Sequence, residues 1–292
     1  MAIYWAFRLA ALWVRVFPLR ASYALARLGG LCVFFLWRGG RRRCIANMRR
    51  VAGGDESAAR RLARRSFGYY GLYIVDFLRL TDVSAREVRR RVIFDEWQQL
   101  DEARAGSGVL FVTIHFGNWD LGAASMTERG YPVSVIADAF AEPRLHDLVF
   151  SSRRRIGLRI LPAGHLSLRL VRALRHNEIV GVLADVPQPE GGVEVDFFGG
   201  TIAVPDGAAR LALRTGASVV AATVPRLGPW SDQFTGDFQL VECERTGDRE
   251  HDVRSLTQAM FRVFEEMVRA RPEQWYIFRP LWPEDAAAEA AS

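Results

Sequence analysis

The stretch GVLFVTIHFGNWDLGAASM, residues 108–126, changes character halfway along. Residues 108–114 form an apolar run of the length and composition of a buried strand. Gly117 and Asn118 then permit a tight turn, and Asp120 stands where a helix should begin, since a carboxylate in a first turn is favoured by the helix dipole. A strand that feeds a helix through a short polar turn is the building unit of parallel α/β sheets. His115 closes the strand. Ligands of open α/β sheets bind at the carboxyl ends of strands, so His115 and Asp120 occupy a position suited to a site.

Working outward, the same alternation recurs. Strand-like runs are VIF (92–94), PVSVIA (132–137), IVGVLA (179–184), VEVDFF (193–198) and ASVVAATV (217–224). Amphipathic stretches near 95–104, 118–129, 141–156, 165–176 and 205–216 separate them, and a long helix is predicted over 252–270. An earlier helix is predicted over 55–80, with a polar start at Asp55, Glu56 and Ser57. Ser84 with Glu87 has the spacing of a capping box. The pattern predicts an α/β fold with a largely parallel central sheet flanked by helices, without internal repeats. The tail, residues 284–292, is rich in Ala and Glu and is expected to be disordered.

Toward the N-terminus, residues 2–17 and 21–37 are two apolar runs. Arg8 and Arg15 interrupt the first, and Arg27 with Gly29-Gly30 the second; Pro18 stands between them. Neither run reaches the roughly 20 uninterrupted apolar residues of a spanning helix. WRGGRRRCIANMRR follows, so aromatic and aliphatic residues lie beside an arginine cluster. That juxtaposition predicts helices lying at an anionic membrane interface, on the cytoplasmic face, over residues 1–52. The other readings are a true membrane span and a pair of ordinary helices packed on the domain with a solvated basic face. The expected division is thus 1–52 as anchor, 53–283 as the chemical domain and 284–292 as tail.

Composition narrows the function classes. The chain has 292 residues, half of them hydrophobic, and a formal charge of +6, which favours an acidic partner surface. All 39 basic residues are arginine, so a Schiff-base or P-loop lysine mechanism is excluded. Cys32, Cys44 and Cys243 show neither disulfide nor metal spacing, and no HExxH occurs; no metal or bound cofactor is expected. The arginines flank apolar helices rather than a nucleic-acid motif, so no nucleic-acid partner is expected.

The chemistry that His115 and Asp120 suggest is that of a base and its orienter. A neutral imidazole can take a proton from an acceptor hydroxyl as that oxygen attacks a thioester. A carboxylate on the other ring nitrogen fixes the tautomer and stabilises the imidazolium. No Ser or Cys nucleophile is needed, and none adjoins His115. Backbone amides near Gly117 and Asn118 are candidates to hold the oxyanion. Asp185, just beyond the run 179–184, is a further strand-end carboxylate. Alone, the five-residue spacing fits equally a structural histidine and a helix-start carboxylate.

The wider sequence resembles a known family. HFGNWDLG is similar to the signature block of the bacterial lipid A biosynthesis lauroyl/myristoyl acyltransferases and the phosphatidylinositol mannoside acyltransferases. LVFSSRRRIGLRIL, the long run from LVRALRHNEIVGVLADV to ASVVAATVPR, and PEQWYIFRPLW resemble further blocks in the same order, over nearly the whole chain. The resemblance implies a glycerolipid acyltransferase-like fold and a membrane-associated enzyme of lipid biosynthesis. It would move an acyl chain from acyl-CoA or acyl carrier protein, as co-substrate, to a hydroxyl of a membrane glycolipid. It makes His115 the base and Asp120 its relay carboxylate, and it places Asp138, Arg153 and Glu194 in substrate binding. The Phe-Pro-Glu-Gly-Thr block of glycerol-phosphate acyltransferases is absent, which disfavours a lysophosphatidic acid acceptor; an acyltransferase acting on a lysophospholipid stays an alternative. Phe116, Trp119, Phe197 and Phe198 are candidates to line an acyl groove. A non-catalytic membrane-bound interaction protein with the same fold is the competing reading.

Overall fold

The computed structural model describes residues 2–137, 142–162, 168–188 and 190–285. Four helices lead: α1 (Ala2–Val16), α2 (Leu19–Leu36), α3 (Arg38–Val51) and α4 (Glu56–Arg79). Asp55 starts α4 by accepting the Ala58 N–H at 2.9 Å. The helix α5 (Ala85–Arg91) follows, capped by Ser84 on the Glu87 N–H, and leads to β1 (Val92–Ile93) and α6 (Trp97–Arg104). The alternating part comprises β2 (Val109–Thr113), α7 (Trp119–Glu128), β3 (Val133–Ala137), α8 (Pro143–Arg155), β4 (Arg159–Pro162), α9 (Leu168–Arg175) and β5 (Ile179–Leu183). The chain continues through β6 (Val193–Phe197), β7 (Gly200–Val204), α10 (Gly207–Thr215), β8 (Ser218–Thr223), β9 (Phe234–Thr235), β10 (Asp237–Val241) and α11 (Arg249–Ala270).

Six strands make the central sheet in the order β10-β8-β2-β5-β3-β4, parallel except for β10 at one edge. The α/β reading with a largely parallel sheet holds. Both edge strands escape the sequence pattern. β4 contains Arg159 and Pro162, and β10 exposes Asp237, Gln239 and Leu240. Polar, Pro-bearing edges are how sheets avoid pairing with other chains, and they erase the apolar signal. β6 and β7 form a separate hairpin whose two-residue turn, Phe198–Gly199, has positive φ at both positions.

Period-2 alternation gives β2 two different faces. Leu110, Val112 and Ile114 enter the largest core cluster, which also holds residues of α9, α10 and α11 and of the hairpin. Phe111 and Thr113 face the other way, where the sheet borders an open cavity.

The leading helices are built into this frame. α2 lies close on α4, and a Cβ at Gly30 or Gly71 would collide with the backbone carbonyl of Phe67 or Ala26. Tyr23 of α2 donates to Asp76 of α4 at 2.6 Å, and Asp76 also pairs with the buried guanidinium groups of Arg91 and Arg226. That network joins α2, α4, α5 and the segment after β8. The outer surface of α1 and α2 stays apolar and exposed, including Trp5, Leu9, Leu12, Trp13, Leu28 and Phe35. By length and composition α2 alone among the described helices could cross a membrane, its mean hydropathy being 1.4.

Candidate active site

His115 sits two residues past the end of β2. The parallel register pairs Thr113 of β2 with Leu183 of β5, and the same offset carried two residues further brings Asp185 opposite His115. The His115 ring nitrogen Nδ1 lies 2.7 Å from Asp185 Oδ1, and the His115 backbone N–H donates to Asp185 Oδ2 at 2.9 Å. Trp275 Nε1–H donates to the same oxygen at 3.2 Å. Tyr276 N–H donates to the His115 carbonyl at 2.7 Å, which fixes the backbone beneath the ring. Asp185 is almost wholly buried, at 1% exposure, whereas the His115 side chain is 28% exposed.

The electrostatics follow from that arrangement. Burial pushes the Asp185 carboxyl upward, but the imidazole and the donated hydrogen bonds outweigh it and hold the acid below its usual range. Burial works against charging His115, and Asp185 outweighs that as well, so the imidazole titrates above its ordinary value. An ionised Asp185 can only accept, so neutral His115 carries its proton on Nδ1 and leaves the Nε2 lone pair free.

Asp120 is held differently. Asn118 caps α7 by accepting the Leu121 N–H at 3.0 Å, and Asp120 lies in the first turn of that helix. Its carboxylate accepts from Arg153 Nε at 2.8 Å and Nη2 at 3.3 Å, and from the Tyr73 hydroxyl at 3.2 Å. The expected hydrogen bond between His115 and Asp120 is therefore corrected: the carboxylate on His115 Nδ1 is Asp185, delivered by strand register, while Asp120 is engaged by α8 and α4. Asp120, Arg153 and His115 nevertheless border one cavity, and the Trp119 ring stands edge-on to the imidazole at 5.4 Å.

That cavity has a volume of about 1240 Å³. Ordinary small-molecule sites occupy roughly 300–1,000 Å³. It runs along the sheet face of Phe111, Thr113, Val135 and Gly181, reaches Phe94 and Trp97 of the α6 region, and extends to Tyr70, Phe278 and Arg279. Its walls are predominantly apolar side chains; His115, Asp120, Arg153, Asp237 and Arg279 are the charged or imidazole groups among them, with the phenols of Tyr70, Tyr73 and Tyr276.

The other expected residues distribute unevenly. Glu194 projects from the exposed face of β6 and does not border the cavity. Asp138 lies outside the described residues. Trp119 lines the cavity, whereas Phe116, Phe197 and Phe198 pack in the core. The Gly117 and Asn118 amides are already committed to the carbonyls of Gln274 and Val224, so neither is free for an oxyanion. Arg279, within the PEQWYIFRPLW block, reaches the cavity and was missed because only spatial folding brings it near His115. Among the described residues, no group of three or more His, Cys, Asp or Glu could hold a metal.

Comparison with known proteins extends this picture. The family model described as bacterial lipid A biosynthesis acyltransferase matches residues 1–284. A phosphatidylinositol mannoside acyltransferase of Mycobacterium tuberculosis (strain H37Rv) is 28% identical over 263 residues, covering 86% of this chain and 80% of its own length. One from Mycolicibacterium smegmatis is 26% identical over 290 residues, covering 96% and 92%. The match over residues 1–284, on a largely parallel sheet with an imidazole just beyond β2, places this chain in the bacterial lipid A biosynthesis acyltransferase family, and it is an acyltransferase of lipid biosynthesis.

Proposed function

We propose that this acyltransferase moves a long fatty acyl chain from a thioester of coenzyme A or acyl carrier protein to a hydroxyl of a membrane glycolipid. A phosphatidylinositol mannoside-like acceptor is preferred over a lipid A-like one, because the similar relatives carry that name. The observation that carries the reading is the His115–Asp185 pair at the wall of a long apolar cavity.

In this mechanism His115 Nε2 takes the proton of the acceptor hydroxyl while its oxygen attacks the thioester carbonyl. The imidazolium that forms is stabilised by Asp185, and Nε2 returns the proton to the departing thiolate as the tetrahedral intermediate collapses. Asp185 is a positioning residue behind the ring, and His115 is the catalytic one. Asp120 and Arg153 form a rigid pair on the cavity wall that orients the polar part of a substrate. Arg279 supplies positive charge for the carbonyl oxygen or the donor's phosphates. The acyl chain lies along the apolar sheet face, where each methylene removed from water contributes about 0.8 kcal/mol.

The exposed apolar surface of α1 and α2 suits docking at the cytoplasmic membrane surface, flat rather than across it. A spanning α2 would draw Arg60, Arg61, Arg64 and Arg65 of the closely packed α4 toward hydrocarbon, which is costly.

The test is transfer of a labelled palmitoyl group from its coenzyme A thioester to a purified phosphatidylinositol mannoside. His115→Ala should reduce kcat/KM by about 10²–10⁴-fold with the fold intact by circular dichroism. Undiminished transfer by that variant would remove His115 as the base.

A further inference from the structure

A second cavity, of about 290 Å³, lies between α2 and α4 and is lined in part by Arg27, Arg64, Arg65, Tyr69, Leu31 and Phe35. Helical periodicity places it on the far side of α4 from the catalytic cavity: Arg64, Arg65, Gly68, Tyr69 and Leu72 line it, whereas Tyr70, Tyr73, Ile74 and Phe77 line the other. Whatever it holds is therefore not the molecule being acylated.

Its charges are unbalanced. Three guanidinium groups meet one carboxylate, Glu273, which pairs with Arg65 at 2.7 Å. Arg27 lies under the exposed ring of Trp230, at 5.1 Å to its centroid. Tyr69 adds a hydroxyl beside Arg65; burial and the neighbouring Glu273 raise it above the ordinary phenol range, so it remains a donor. One flank is different in kind: Leu31 and Phe35 belong to α2, whose outer side is exposed and apolar, and Trp230 is 57% exposed on the adjoining loop. Aromatic rings and arginines grouped beside an apolar surface are the pattern of a membrane interface.

The geometry points to a site for the phosphate of one anionic phospholipid, gripped by Arg27, Arg64 and Arg65, with its acyl chains running along Leu31 and Phe35 of α2. The site would lock the enzyme's orientation on the leaflet and set the catalytic cavity toward its lipid acceptor. This rests on the membrane-docking reading above. A phosphodiester accepts several charge-assisted hydrogen bonds at once, which rotating arginine side chains can supply without a rigid cradle.

Native mass spectrometry of the full chain in neutral detergent, with phosphatidylglycerol added, reads the site directly. The expected result is one retained phosphatidylglycerol per chain, no saturable adduct with phosphatidylcholine, and affinity lowered by about tenfold or more in Arg27→Gln/Arg64→Gln. Neither arginine has a carboxylate partner among the described residues, so the double variant should fold. Arg254→Gln/Arg262→Gln, on exposed positions of α11, removes the same charge and should keep the adduct. Equal loss in the two double variants overturns the proposal in favour of bulk charge. Displacement of the lipid by millimolar inorganic phosphate overturns it in favour of a soluble-phosphate site. Flotation of the wild type with mixed phosphatidylcholine–phosphatidylglycerol vesicles separates the two readings. Flotation without a one-to-one adduct defeats this site and leaves docking standing, whereas failure to float defeats docking and the site with it.

Discussion

Asp185 and Asp120 stand at the same end of one sheet, both buried, both engaged by charged or polar partners, and they face opposite ways. Asp185 lies behind the imidazole, away from the cavity, and accepts from His115 twice and from Trp275 once. Asp120 borders the cavity and accepts from Arg153 and Tyr73. One carboxylate sets the protonation state of the His115 ring, and the other fixes an arginine at the wall. Proximity in sequence and proximity in a sheet are separate matters. Five residues along the chain carry Asp120 past a turn and into a helix, while seventy residues return Asp185 to the neighbouring strand.

The largest effect should come from removing the charge of Asp185. Asp185→Asn should leave the ring able to adopt the wrong tautomer and lower kcat/KM by about 10³-fold or more, measured by acyl transfer at fixed pH. Less costly to chemistry, and damaging to stability instead, is Asp120→Ala. It strands the mostly buried guanidinium of Arg153, and about 3–5 kcal/mol of unfolding free energy should be lost in urea titration. Asp120→Ala/Arg153→Met should recover most of that loss, because no charge is then left unpaired; failure to recover would mean that Asp120 supports the fold by some other contact. The smallest effect should come from a change that touches neither carboxylate. Gly181→Ile places a side chain where the cavity follows β5 and a new Cβ already approaches Val135 within 3.2 Å. Preference between long and shorter acyl donors should shift by about 10–100-fold, with the pH profile unchanged.

Much of this was legible in the sequence for definite reasons. The run 108–114 packs one face into the core and lines a largely apolar cavity with the other, so it is almost continuously apolar, and β2, the turn and α7 are readable, and with them the place of His115. The identity of its partner was not. It depends on β2 and β5 being neighbours in register, which no local pattern reports. The Gly117 and Asn118 amides suited an oxyanion site until tertiary packing set the Gln274 and Val224 carbonyls against them. The arginine run 153–155 hides one inward residue, Arg153, among neighbours that face water, and only its pairing with Asp120 of α7 in the folded chain distinguishes it. The short edge strands β4 and β10 carry the polar residues that edges require, which conceals them.

The pH dependence of kcat/KM reads out which carboxylate governs the His115 ring. Protonated His115 cannot act as base, so activity falls on the acid side of the imidazole's pKa. Asp185 raises that pKa, so the wild-type acid limb should lie above the ordinary value of about 6.5. In Asp185→Asn the limb should move to lower pH, because burial then opposes the charged ring without its counterion. In Asp120→Asn it should stay in place. A limb that moves with Asp120 and ignores Asp185 would make Asp120, not Asp185, the partner of the imidazole.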